Sequence, residues 1–203
     1  MGQAGKLIAF SLLASCLSIL WLAQSGCDRT PPEHQAPMHE KGGVTMKIAV
    51  TSEAFAVGQP IPRKHTGEGE NLSPPLHFHD VPAEARQIVL ICDDPDAPRP
   101  EPWIHWVIYS IPGHVDNLVE SIEPTPNPPS PSGAVQGVNS SGKVGYSGPM
   151  PPPGHGVHHY HFKVYALDAE LNLQPGLTKA DVLAAIDGHV IAEGELVGTY
   201  ERK

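Results

Sequence analysis

QIVLICDDPDAPRPEPWIHWVIYSI, residues 87–111, carries two apolar runs on either side of a loop of acids and prolines. Residues 87–92 are almost continuously apolar, the pattern of a strand buried on both faces, and residues 103–111 form a second run rich in aromatic and β-branched side chains. Downstream, GYSGPMPPPGHGVHHYHFKVYAL (residues 145–167) places a Gly/Pro loop ahead of a third long strand over 160–167. Polar groups therefore collect where strands begin and end. That placement predicts the rim of a small polar pocket.

The rest of the chain agrees with a β domain. Residues 45–50 alternate polar and apolar as a half-buried first strand, Leu76 and Phe78 mark a short strand, and residues 189–200 alternate again as a closing strand. Thr178 is placed to cap a helix over 179–187, with Asp181 at its third position and Gly188 just past its end. Leu183 and Ile186 are spaced to meet a core from that helix. Residues 123–153 form a long Pro-rich irregular stretch, of the kind that is functional or mobile. The expected fold is mainly β: antiparallel sheets with short peripheral helices.

The N-terminus reads as targeting. Lys6 precedes an apolar run over 7–23 that ends in Gln24-Ser25-Gly26-Cys27, predicting a lipoprotein signal over 1–26 with Cys27 lipidated. Residues 13–16 (LASC) fit the cleavage pattern better locally, so Cys16 is the competing site, and an uncleaved membrane anchor is a further alternative. Residues 27–44, rich in Pro, His and charge, read as a flexible tether, followed by one domain over 45–203. This organisation predicts a lipid-anchored protein of a bacterial cell envelope, facing the periplasm or exterior. The mature domain then keeps Cys92 as its lone cysteine, so burial rather than a disulfide must stabilise it. A formal charge of −9 argues against nucleic acid as a partner.

Strand geometry decides which side chains converge. Successive residues point to opposite faces, so His158, Tyr160 and Phe162 share one face and His159 and His161 the other. By the same rule His105 points away from both Ile104 and Trp106. A pocket at the strand ends then gathers Asp94, Asp96, His105, His158 and Tyr160, with Asp94 orienting or charging His105. Glycines around Tyr146 and Ser147 let backbone N–H groups approach a ligand. Such donors suit a phosphate, sulfate or carboxylate.

Each element also has a scaffolding explanation. Asp94 and Asp96 with Pro95 and Pro98 shape a tight turn, His105 is a satisfied core histidine, and Tyr160, Trp103 and Trp106 are packing residues. A zinc site is a separate reading, with His159 and His161 two apart on a strand and His155 or His158 nearby. The sequence lacks Gly-x-Ser-x-Gly, a phosphate loop, Cys-x-x-Cys and His-Glu-x-x-His. Ser147 is the remaining nucleophile candidate. Neither an enzyme nor a cofactor is expected.

The motifs DDPDAP (93–98), WIHW (103–106), GYSGPMPPPGHGVHHY (145–160) and FKVYALD (162–168) resemble the phosphatidylethanolamine-binding protein family, nearest its bacterial Raf-kinase-inhibitor-like branch. The resemblance extends through GENLSPPLHF (69–78), Val81-Pro82-Ala83 and residues 178–202. It implies antiparallel sheets around an anion pocket formed by Asp94, His105, His158 and Tyr160, with Asp96, Pro98, Gly148 and Pro149 on the rim. Members of the family bind phospholipid head groups, phosphate-like anions or nucleotides, and some inhibit kinases or proteases. This chain departs from the pattern at Met150, where cysteine is common, and at His159, where arginine is usual. The expected function is non-enzymatic binding of a small anionic ligand. A kinase- or protease-inhibiting interaction module acting through the rim and the Pro-rich loop is the alternative, and a zinc hydrolase the third reading.

Overall fold

The computed structural model describes residues 46–203. The expected signal, Cys16, Cys27 and the whole of the tether lie outside the described residues. Among the described residues, nine strands and one α-helix follow in order: β1 (Met46–Lys47), β2 (Ala49–Thr51), β3 (Leu76–His79), β4 (Gln87–Asp94), β5 (Trp103–Pro112), β6 (Asn117–Leu118), β7 (Val135–Gln136), β8 (Val157–Leu167), α1 (Lys179–Ile186) and β9 (Val190–Glu201). They build a six-stranded sheet of order β1-β9-β8-β4-β5-β7 and a three-stranded sheet of order β2-β3-β6. Pairing within both is antiparallel except at the β1–β9 edge.

The apolar run of β4 is explained by its central place. Ile88, Leu90 and Cys92 point into the core shared with the small sheet, together with Trp106, Ile108, Phe162 and Val164. Val89 and Ile91 point the other way, where Val107, Tyr109 and the helix residues Val182 and Ile186 cover them. Both faces of the strand are thus dry. Burying each such side chain stabilises by about 1.5–3 kcal/mol against leaving it in water. Strand β8 instead buries His158, Tyr160, Phe162 and Val164 on one face and leaves His159 exposed on the other.

Thr178 caps α1 as expected, in a reciprocal capping box with Asp181. Its deeply buried contacts are Val182 and Ile186, with Leu183 only partly covered. A second difference lies at the start of the domain. The expected strand over 45–50 splits into β1 and β2, which serve different sheets. The split is anchored by Ile48, whose N–H donates to the Glu193 carbonyl at 2.8 Å. Gly194 permits this crossing, because a β-carbon there would sit 2.1 Å from the Ile48 carbonyl oxygen.

One irregularity positions the site. In the β4–β5 ladder Cys92 faces Trp106 and Asp93 faces Ile104, so His105 is an extra residue without a partner. A bulge of this kind re-aims a side chain. Ile104 packs toward the helix layer while Trp106 lies in the inter-sheet core. His105 meets Tyr160, a member of that same core. The expectation from strict alternation, His105 opposed to Trp106, is therefore corrected: the bulge turns both toward one face.

Candidate functional site

The strand ends and three loops enclose a cavity of about 790 Å³ lined by Asp94, Pro98, His105, Gly148, His158 and Tyr160. Two residues expected at the rim do not line it. Asp96 turns to His159, accepting from its backbone N–H at 2.8 Å and its ring at 2.7 Å. Pro149 is buried, and its carbonyl accepts from Gly67 N–H at 2.9 Å.

Asp94 bonds to His158 rather than His105, which corrects the expected orienting contact, while its charge still acts on the His105 ring. His158 Nδ1 lies 2.8 Å from Asp94 Oδ2, with the two side chains 1% and 5% exposed. The other Asp94 oxygen accepts the Asp96 backbone N–H at 2.8 Å, closing the DPD turn. His155 Nδ1 sits 2.8 Å from the second His158 nitrogen, Nε2. Both nitrogens of His158 are thus engaged, so it presents no spare donor to the cavity.

His105 makes a different bond. Its Nδ1–H donates to the Ser147 carbonyl at 2.5 Å. Burial pushes its pKa below the usual histidine value, and the Ser147 carbonyl and the Asp94 charge offset part of that. Tyr160 stands edge-on to it, ring centroids 5.1 Å apart. The Tyr160 hydroxyl is buried and makes no hydrogen bond of ordinary geometry among the described residues, although the Asp94 carboxylate lies close enough to act on it. Burial first, and then Asp94, drives its pKa far above the ordinary phenol range. Tyr160 therefore keeps its proton and can only bring a neutral O–H to a ligand.

The expected backbone donors are also taken. Ser147 N–H donates to the His105 carbonyl at 2.9 Å, and Gly148 N–H to Asn71 Oδ1 at 2.7 Å. Gly148 is required for close packing, since a β-carbon there would lie 2.3 Å from the His65 carbonyl oxygen. The Ser147 loop serves as a brace, and His105 meets Ser147 through its carbonyl rather than its hydroxyl.

The lining also includes Asn71 and Arg99, which no motif marked as pocket residues. Arg99 is exposed at the mouth, its guanidinium 5.3 Å from the centroid of the Trp103 ring. It follows DDPDAP directly, so its charge was visible beside the motif. Asn71 has a φ of 60°, and its amide reaches a loop 77 residues away, which no local pattern announces. Histidines of β8 are dispersed rather than gathered: His159 pairs with Asp96 and His161 with Glu195. Among the described residues no three His, Cys, Asp or Glu side chains are grouped to hold a metal.

A family model described as phosphatidylethanolamine-binding protein matches residues 51–201. A UPF0098 protein of the archaeon Methanothermobacter thermautotrophicus is 51% identical over 142 residues, covering 70% of this chain and 91% of that protein. A crystal structure of a phosphatidylethanolamine-binding protein homologue from Chlamydia trachomatis matches with a TM-score of 0.70 and 45% identity, covering 77% of this chain and 99% of that one. The structure of Escherichia coli YbcL, described as a member of the mammalian family, matches at 0.72 and 34%, with the same coverage. The chain belongs to the phosphatidylethanolamine-binding protein family.

Proposed function

We propose that this member of the phosphatidylethanolamine-binding protein family is a non-enzymatic domain that binds a small anionic, phosphate-type ligand in the cavity between β4, β5 and β8. The observation that carries this reading is the unpartnered Tyr160 hydroxyl on the cavity floor. A buried polar group without a partner costs about 1–3 kcal/mol, and a ligand oxygen would relieve that cost. Arg99, stacked on Trp103, gives the mouth a permanent positive charge that would favour an anion over a cation. Nuclear magnetic resonance titration with inorganic phosphate tests the reading. Shifts centred on His105 and Tyr160 support it, and shifts confined to surface lysines contradict it.

A second reading is a protein-interaction module, an inhibitor of a kinase or protease. It draws on the stiffness of the Pro-rich stretch: the buried Gln136 side chain donates to the carbonyls of Glu123 and Thr125 at 2.7 and 2.8 Å. Met150 stands about half exposed at the cavity mouth, offering an apolar contact. Met150→Asp would abolish capture of a protein partner while sparing phosphate binding. Attachment by lipid at Cys27 and residence in a cell envelope are part of the proposal. Metabolic labelling with palmitate that survives Cys16→Ser and disappears in Cys27→Ser would support it, and labelling that follows Cys16 would contradict it.

A further inference from the structure

The cavity floor offers a short and asymmetric set of polar atoms. His105 Nδ1–H is committed to the Ser147 carbonyl, so the neutral ring has only a lone pair on Nε2. Tyr160 contributes one unpartnered O–H next to it. His158, Asp94, and the N–H groups of Ser147 and Gly148 are bonded within the protein. Among the buried lining side chains what remains is one donor beside one acceptor, with the Asp94 carboxylate close by; the donors of Asn71, Arg99, Ser141 and Ser147 belong to exposed or part-exposed residues. A fully deprotonated oxyanion fits this badly, because one of its oxygens must face the His105 lone pair. An oxyacid that keeps one O–H fits both atoms: an anionic oxygen accepts from Tyr160 while the O–H donates to His105 Nε2.

Resting on the anion-binding reading above, we infer that the cavity selects phosphomonoesters and inorganic phosphate over phosphodiesters, because the complex holds one proton between a ligand oxygen and His105 Nε2. The groups facing His105 are Asp93 and Asp94 from β4, His158 and Tyr160 from β8, and the Ser147 carbonyl from its loop. Asp93 is already paired with Lys163 and Lys179, and Arg99 is the permanent cation of the lining. Burial disfavours the charged ring, so the proton is more readily brought by the ligand. A phosphomonoester has its second pKa at about 6 and is protonated roughly one time in ten at pH 7. A carboxylate, at about 4.3, carries its proton far more rarely. A diester has none to give near neutrality, and its binding must instead charge the buried ring.

The test is calorimetric titration of the full-length chain at pH 7.5 with methyl phosphate and with dimethyl phosphate, each in two buffers of different ionisation enthalpy. Methyl phosphate should bind at least about tenfold tighter and take up close to one proton per complex. Equal affinity for the two esters, or monoester binding without proton uptake, overturns the inference but leaves anion binding standing. Failure of both to bind at millimolar concentration overturns both readings. Tyr160→Phe should weaken methyl phosphate about tenfold with no fall in thermal midpoint, and unchanged affinity would remove the donor from the account. Competition between dihexanoyl phosphatidic acid and methyl phosphate separates the sources of the monoester. Stronger displacement by the lipid points to a lipid head group, and weaker displacement to a free phosphate. Dihexanoyl phosphatidylethanolamine, a diester, should displace neither, and displacement by it contradicts the selection.

Discussion

Asp94 and His158, 64 residues apart in the chain, form a buried pair with Oδ2 and Nδ1 at 2.8 Å. The contact ties the DPD turn after β4 to the start of β8. Asp94 also accepts the Asp96 N–H, so one carboxylate organises two segments of the cavity wall.

Asp94→Asn should therefore act on stability first. The amide offers one acceptor oxygen where the carboxylate offers two, so either the His158 ring or the Asp96 N–H loses its partner. Leaving a buried donor unpaired costs about 1–3 kcal/mol. Urea denaturation should show the loss as a lower midpoint with an unchanged slope.

Tyr160→Phe should behave in the opposite way. It removes an orphaned buried hydroxyl, so stability should hold or rise by about 1 kcal/mol, while phosphate affinity falls. Thermal unfolding with and without phosphate separates the two effects: the variant should lose the ligand-induced increase in midpoint.

Gln136→Leu tests whether the Pro-rich stretch is braced. The Gln136 side chain accepts from the Trp106 indole N–H at 2.7 Å and donates to Glu123 and Thr125 carbonyls. Leucine leaves the buried Trp106 N–H unpaired, at about 1–3 kcal/mol, and removes the donor from the part-buried carbonyls of Glu123 and Thr125. Stability should fall by at least about 2 kcal/mol, and amide exchange within residues 123–136 should accelerate.

Acid should destabilise the domain through its buried histidines. Burial holds both His65 and His105 below the usual histidine pKa, with the carbonyls of Leu72 and Ser147 offsetting part of it. The unfolded chain binds protons at these rings near the ordinary value of about 6.5, before the folded one does. Stability is thus full above that value and declines as pH falls toward the folded pKa values. The thermal midpoint should drop between about pH 7 and pH 5, and His65→Gln should make the slope shallower.

Much of the architecture could be read from residues. The continuous apolar run of β4 foretold burial on both faces, and the alternation of β8 separated His158 and Tyr160 from His159. Thr178 and Asp181 announced their helix. The sequence concealed the bulge at His105, which depends on the pairing of Cys92 with Trp106 and of Asp93 with Ile104 across two strands. It also concealed which acid meets which histidine, because Asp94 is within reach of several rings and the backbone path selects His158. Asn71 and the bonded N–H groups of the Ser147 loop belong to contacts more than 40 residues apart, beyond what local patterns encode.

The most direct measurement is calorimetric titration of inorganic phosphate at pH 5.5 and at pH 7.5, on the native chain and on Tyr160→Phe. Tighter binding at the lower pH, lost in the variant, is the predicted result. Equal affinity at the two pH values would contradict the shared proton, and absent binding or binding indifferent to Tyr160 would contradict the assignment of this cavity as an anion site.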